Sequence, residues 1–316
     1  MSVTEHVPSR PRAGGFAAGP YPARRARIVV PALLAGLVLT MVWSAPFVDK
    51  VIGDNVANTL LGHDAKATPI GGVLAGTLFA FVSGLAGSFT ACNIAAFGAV
   101  APLVGGQADS GRRRFLTTLK PLGWIAAGML TVSVVYGVIV ALAGTRMPQF
   151  STAQTGGLSG RSLQSMIVFG VIGLVFIVLG LASLGVIGNP LAALGRRFPA
   201  APLVVMGALI GGFLIGRPYP LFRIMFRDAA ESHNVLYGAA AFALQSVGNI
   251  VLMAVLFLLL THATGGRVRR WLTAKPARVA TVTGAALLVA GTFTLLYWDL
   301  RMLGRLGVIW FPSMSW

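Results

Sequence analysis

Eleven consecutive residues from Ile250 to Leu260 are apolar on every side of any helix they could form, and six other stretches of the chain are nearly as unbroken. A segment with no polar face has nothing to turn towards water, so it must be buried in protein or in lipid, and length decides between them. A spanning helix needs about 20 mainly apolar residues, because roughly 30 Å of hydrocarbon is crossed at about 1.5 Å per residue. Seven stretches qualify, at 28–48, 70–104, 121–143, 165–187, 201–224, 238–261 and 279–299. Membrane β-hairpins would instead show segments of about ten residues alternating in polarity. The chain therefore reads as an all-α integral membrane protein with about seven transmembrane helices. Composition agrees: 56% of residues are hydrophobic and 10% charged, against roughly a quarter charged in soluble domains, and the mean hydropathy is +0.80.

A net charge of +17 raises nucleic acid as a partner, but the bases occupy the short connections between apolar spans, where charge reports topology. With the N-terminus inside, the inner segments hold Arg10, Arg12, Arg24, Arg25 and Arg27, then Arg112, Arg113, Arg114 and Lys120, then Arg196 and Arg197, then Arg267, Arg269, Arg270, Lys275 and Arg278. These are 16 of the 25 basic residues, while six of the eight acids fall elsewhere. The expected orientation is N-terminus inside and C-terminus outside in the cytoplasmic membrane, and the positive charge is a topogenic and anionic-lipid signal. Lipid is the expected partner, and nucleic acid is not.

Residues 1–27 combine five Arg, four Pro and three Gly with no apolar periodicity and read as a disordered basic tail. The segment 28–48 is the first transmembrane helix; the alternative is a signal peptide cleaved after Ala45. Residues 70–187 and 199–300 then form two groups of three helices, followed by a short extracytoplasmic tail at 301–316. Weak internal similarity aligns Gly87-Ser88-Phe89-Thr90-Ala91-Cys92-Asn93 with Gly211-Gly212-Phe213-Leu214-Ile215-Gly216-Arg217. One copy would run inwards and the other outwards, which makes a 3+3 inverted repeat behind one N-terminal helix. Coincidence between Gly-rich spans is the alternative.

The two leading helices are also the irregular ones. Gly71 to Val104 is 34 residues, about 51 Å if straight, more than a bilayer requires. Helix breaks are expected at Gly87 and Pro102 in the first copy and at Gly216, Pro218 and Pro220 in the second. Such interrupted spans at matching places in two halves point to a central site, although close packing through small residues would produce them too.

No carboxylate lies inside the expected spans, which disfavours a proton or cation relay. The four histidines are scattered, so no metal site is expected, and no motif for a cofactor occurs. The polar residues left inside the bilayer are candidates for lining a central site: Ser88, Thr90 and Asn93, with Arg217 and Tyr219, and Gln245 with Asn249. Gln245 and Asn249 share a helix face, and plain interhelical hydrogen bonding is an equal explanation for them. Arg217 is costly in hydrocarbon unless it snorkels or takes carbonyls freed by a break at Pro218. Cys92 is the sole cysteine, so it is either a small buried hydrophobe or a thiol able to exchange with a partner's disulfide.

The stretch Gly84 to Val104, with Gly87-Ser88-Phe89-Thr90-Ala91-Cys92-Asn93 and Pro102-Leu103, followed by helices in two triplets, resembles the DsbD/CcdA cytochrome c biogenesis transmembrane family over roughly residues 70–300. The resemblance implies an electron relay from cytoplasmic thioredoxin to extracytoplasmic thiol proteins, with Cys92 as the first of two relay cysteines and a thioredoxin-like thiol protein as partner. Two departures matter. Ala91 replaces the family's usual proline, and the second cysteine position falls at Gly216. A two-cysteine relay is thereby excluded in this chain alone. The competing expectation is a small-solute or anion transporter on the same scaffold, with Arg217 as charge partner; a non-catalytic assembly subunit is the third.

Overall fold

A computed structural model describes residues 21–44, 47–88, 111–150, 154–155, 158–216, 220–263, 267–275 and 277–312. The protein is an all-α membrane protein: among the described residues four helices are long and apolar enough to cross a bilayer, or five if one bent pair is counted as a span, and two further helices are shorter and apolar. The only strands among the described residues are a two-residue antiparallel ladder, Gln154–Thr155 with Leu158–Ser159.

In chain order the helices are α1 (Ala26–Val42), α2 (Asp54–Leu61), α3 (Val73–Gly87), α4 (Gly111–Ala143), α5 (Gly160–Ser183), α6 (Ala192–Arg197), α7 (Ala201–Gly216), α8 (Pro220–Glu231), α9 (Val235–Ala263), α10 (Arg267–Thr273), α11 (Ala277–Leu295) and α12 (Arg301–Arg305). The termini of these elements follow local chemistry. Ser159 caps α5 by accepting from the Ser162 N–H at 3.2 Å, and α2 ends on Gly62, whose φ of +74° suits the left-handed position that follows a helix.

The long helices pack as a row, in the order α1, α11, α5, α7, α4, α9, α3. Glycines set the closeness, since only a residue without Cβ lets two backbones touch and lipid offers no hydrophobic drive to hold helices together. Gly84 of α3 lies against the backbone of Gln245 in α9, and Gly207 of α7 against that of Ile125 in α4. Gly137 and Gly238 face each other between α4 and α9; so do Gly173 and Gly291, and Gly180 and Gly284, between α5 and α11. Numbers rise together across α3 and α9 (Gly84 with Gln245, Ser88 with Asn249), across α4 and α7 (Ile125 with Gly207, Met129 with Gly211), and across α1 and the run of α11 into α12 (Gly36 with Thr292, Thr40 with Arg301). Those pairs are parallel. In α4 with α9, α5 with α11 and α5 with α7 one number rises as the other falls, so they are antiparallel.

Several sequence boundaries shift. The first span ends at Val42 rather than at 48, because Trp43 is extended and a π-helical turn, Val48–Gly53, follows. The 121–143 span is the end of a helix that begins at Gly111 and runs through Pro121. The 165–187 span starts at Gly160 and stops at Ser183, before Gly185 with φ +70°. The 201–224 span is two helices, α7 and α8, turned by 83°. The part of the basic tail from Tyr21 onward is docked: the Tyr21 ring covers Gly185, and Arg25 donates to the Gly185 carbonyl. The last span passes 299: α11 continues through a π-helical turn, Leu296–Leu300, into α12 as one run, Ala277–Arg305. Asp299, the last residue of the expected span, therefore lies within the longer one, against the expectation that no carboxylate is inside a span, because the helix outlasts the apolar run from which its end was judged.

Candidate functional site

Two helix ends, those of α3 and α7, carry much of the polar chemistry of the interior. At the first, α3 finishes at Gly87 and Ser88 follows as its cap residue. The Ser88 hydroxyl lies 2.9 Å from Asn249 Oδ1 and 3.0 Å from the Gly84 carbonyl, both acceptors. One proton serves one of them at a time, so Asn249 competes with the helix backbone for it. Both side chains are buried. One turn before Asn249, Gln245 is wholly buried and neither atom of its amide has a hydrogen-bond partner; the Ser83 hydroxyl is also without one. A buried amide left unpaired costs about 1–3 kcal/mol per group, more than an ordinary packing position repays. Beside it, Ser246 and Ser133 of α4 bond to each other.

At the second end, α7 stops at Gly216 and the chain resumes as α8 at Pro220. Ending the helix frees its last carbonyls. Side chains from other elements reach them, and Arg217, for which such carbonyls were one expected partner, lies outside the described residues. Gln164 Nε2 donates to the Ile215 carbonyl at 2.8 Å, Gln149 Nε2 to the same oxygen at 3.3 Å, and the Ser165 hydroxyl to the Gly216 carbonyl at 2.7 Å. Gln164 also donates to the Tyr136 hydroxyl at 3.1 Å. Gly216 is closed in on its other side: a Cβ there would sit 2.8 Å from the Phe169 ring, which stacks on Trp298 with centroids 4.5 Å apart.

The sequence reading missed Gln149, Gln164, Ser165 and Tyr136, although Gln164-Ser165 interrupting the start of an apolar helix was a visible signal. It also missed Arg301. That residue is buried, and its guanidinium donates to the carbonyls of Thr40 at 2.7 Å and Trp43 at 2.8 Å, the freed acceptors at the end of α1. Nearby, Asp299 faces Gly170 of α5, and its Oδ2 is buried with no hydrogen-bond partner.

Of the residues singled out from sequence, Ser88 and Asn249 meet directly, Gln245 lies one turn away on the same helix, and Gly87, Gly216 and Pro220 stand at helix ends. Thr90, Cys92, Asn93 and Pro102 lie outside the described residues, as do Arg217, Pro218 and Tyr219. Among the described residues no three His, Cys, Asp or Glu side chains come together as a metal site would require. No family model, no curated protein and no solved structure matches the chain.

Proposed function

We propose that this chain crosses the cytoplasmic membrane seven times, N-terminus inside and C-terminus outside, as one leading helix plus two inverted triplets, and that it exchanges thiols with a thioredoxin-like partner through Cys92. The observation that carries the scaffold is a repeated contact. Cβ atoms built at Gly84 and Gly248 would strike Gln245 O, and Phe81 O with Leu85 N; those at Gly207 and Gly128 would strike Ile125 O, and Val204 O with Ala208 N. Adding 123 to each α3 number gives the α7 number, and subtracting 120 from each α9 number gives the α4 number. Two unrelated helix pairs have no reason to share such a pattern; two copies of one unit do. The six packing directions fit the same reading, since strict alternation from α1 through α3, α4, α5, α7 and α9 to α11 requires each of them.

Register from these contacts is one residue out of step with the sequence comparison, and carried forward it pairs position 92 with Ile215 rather than with Gly216. Neither is a cysteine, and the Phe169 ring leaves no room for a side chain at Gly216. Redox work therefore falls to Cys92 alone, and one thiol suffices if the partners are dithiols. The Cys92 thiolate attacks a partner's disulfide, forming a mixed disulfide and releasing one thiolate. A reduced donor thiol then attacks the Cys92 sulfur, frees the first partner fully reduced, and its own second thiol restores Cys92. Two electrons pass from donor to acceptor, and Cys92 ends as it began.

The test is Cys92→Ser in a thiol-transfer assay, with trapping of the mixed disulfide in membranes. The expected result is loss of both. Full activity in Cys92→Ser, or no mass-tag labelling of Cys92 from either side at high pH, refutes the redox reading. A second reading, an anion transporter with Arg217 as charge partner, is favoured by the arginines gathered at the elbow between α7 and α8; it expects Cys92→Ser to transport normally and Arg217→Ala to fail.

A further inference from the structure

Where α7 ends and α8 begins, three arginines of described elements gather; Glu231, one turn beyond Arg227 on α8, makes no ion pair with them among the described residues. α8 is amphipathic: Leu221, Phe222, Met225 and Phe226 are buried, while Arg223 and Arg227, one turn apart, leave that face. Arg223 is partly buried, and after that burial the like charges of Arg161, in the first turn of α5, and of Arg227 bear on it. Arg161 lies one turn before Gln164 and Ser165, whose side chains hold the end of α7, so the same contact that closes the break brings the third arginine to it. Arg227 sits 5.6 Å from the Phe150 ring centroid. Among the described residues none of the three guanidinium groups has a hydrogen bond or an ion pair, and the ion pair is elsewhere, between Lys66 and Asp54. Asp228, the acid beside them in sequence, is engaged by the Tyr237 hydroxyl.

Three guanidiniums brought together raise each other's free energy unless an anion sits among them. The convergence of Arg161, Arg223 and Arg227 at the α7–α8 elbow is, we infer, a phosphate-binding site. Phosphate suits it better than a carboxylate does: it offers three or more oxygens and up to two charges to donors that form planar forks. The phosphate has two sources, a free ion or the headgroup of an anionic lipid, because an amphipathic helix across a span's end lies where headgroups are. The site stands apart from the chemistry of Cys92.

The experiment uses the full chain purified in neutral detergent, titrated calorimetrically with inorganic phosphate, and the full chain recovered from bilayers of phosphatidylcholine with or without phosphatidylglycerol, with retained lipid read by native mass spectrometry. Saturable phosphate binding that weakens at least about tenfold, about 1.4 kcal/mol, in Arg223→Gln and in Arg161→Gln identifies a free-anion site. Retained phosphatidylglycerol that the same variants lose identifies a lipid site. Arg223→Lys, which keeps charge but not the fork, should fall between, and Cys92→Ser should bind as the unaltered protein does. Absence of both ligands, or binding that neither glutamine variant weakens, overturns the inference.

Discussion

If the two glycine contacts are copies of one design, a methyl group added to either should do the same damage. A Cβ at Gly84 would lie 2.9 Å from the Gln245 carbonyl carbon and 3.1 Å from its Cα; at Gly207 the corresponding distances to Ile125 are 2.7 Å and 2.9 Å, with the carbonyl oxygen nearer still in both. Ordinary carbon contacts are about 3.5–4.0 Å, so each helix pair must separate by about 1 Å. The obstacle is backbone, which has no rotamer to change, and overpacking of that kind costs about 1–3 kcal/mol or more. Alanine recovers up to about 1 kcal/mol through its better helix propensity, so Gly84→Ala and Gly207→Ala should each lose about 1–2 kcal/mol. Gly123 has no atom within 4 Å of its would-be Cβ, so Gly123→Ala keeps the propensity gain alone and should be neutral or stabilising. The assay is thermal unfolding of the detergent-solubilised protein followed by tryptophan fluorescence. Melting of Gly84→Ala and Gly207→Ala with the unaltered protein would refute the packing argument, and a loss in one without the other would refute the equivalence of the halves.

Removing the Arg301 guanidinium (Arg301→Met) strips two donors from the buried end of α1; with charge-assisted bonds at about 1.5–3 kcal/mol each before relaxation, a fall of roughly 3 kcal/mol and faster proteolysis after Trp43 are expected, and unchanged melting would show that α1 is held by other contacts. Ser88→Ala and Asn249→Ala should couple by about 0.6–1.7 kcal/mol in a double-mutant cycle, the range for hydrogen bonds between membrane helices, and zero coupling would dismiss the bond. Gln164→Leu leaves both the Ile215 carbonyl and the Tyr136 hydroxyl without that donor, and should cost about 1–3 kcal/mol, more than Ser165→Ala; the reverse order of melting temperatures would mean that Gln149 alone holds the break.

The membrane character was legible because hydrocarbon imposes one dimension on every helix that crosses it, and stretches of about 20 mainly apolar residues recur along the chain. Some helix ends have a local cause of the same kind: glycine and proline act on their own backbone, and α7 stops at Gly216 with α8 starting at Pro220. Which side chains answer the freed carbonyls was not legible. Gln149 and Gln164 reach Ile215 from 66 and 51 residues away, and no local pattern encodes a partner at that separation. Arg301 looked like the start of a tail because apolar runs mark where lipid contact ends; the helix continued because α1 supplied carbonyls for its charge. Composition and local backbone chemistry thus determined that the chain forms apolar helices and where some of them stop. Tertiary structure decided which helices touch, which polar groups are satisfied and which, such as the Gln245 amide, are left without a partner, because each of those outcomes depends on atoms brought together only by folding.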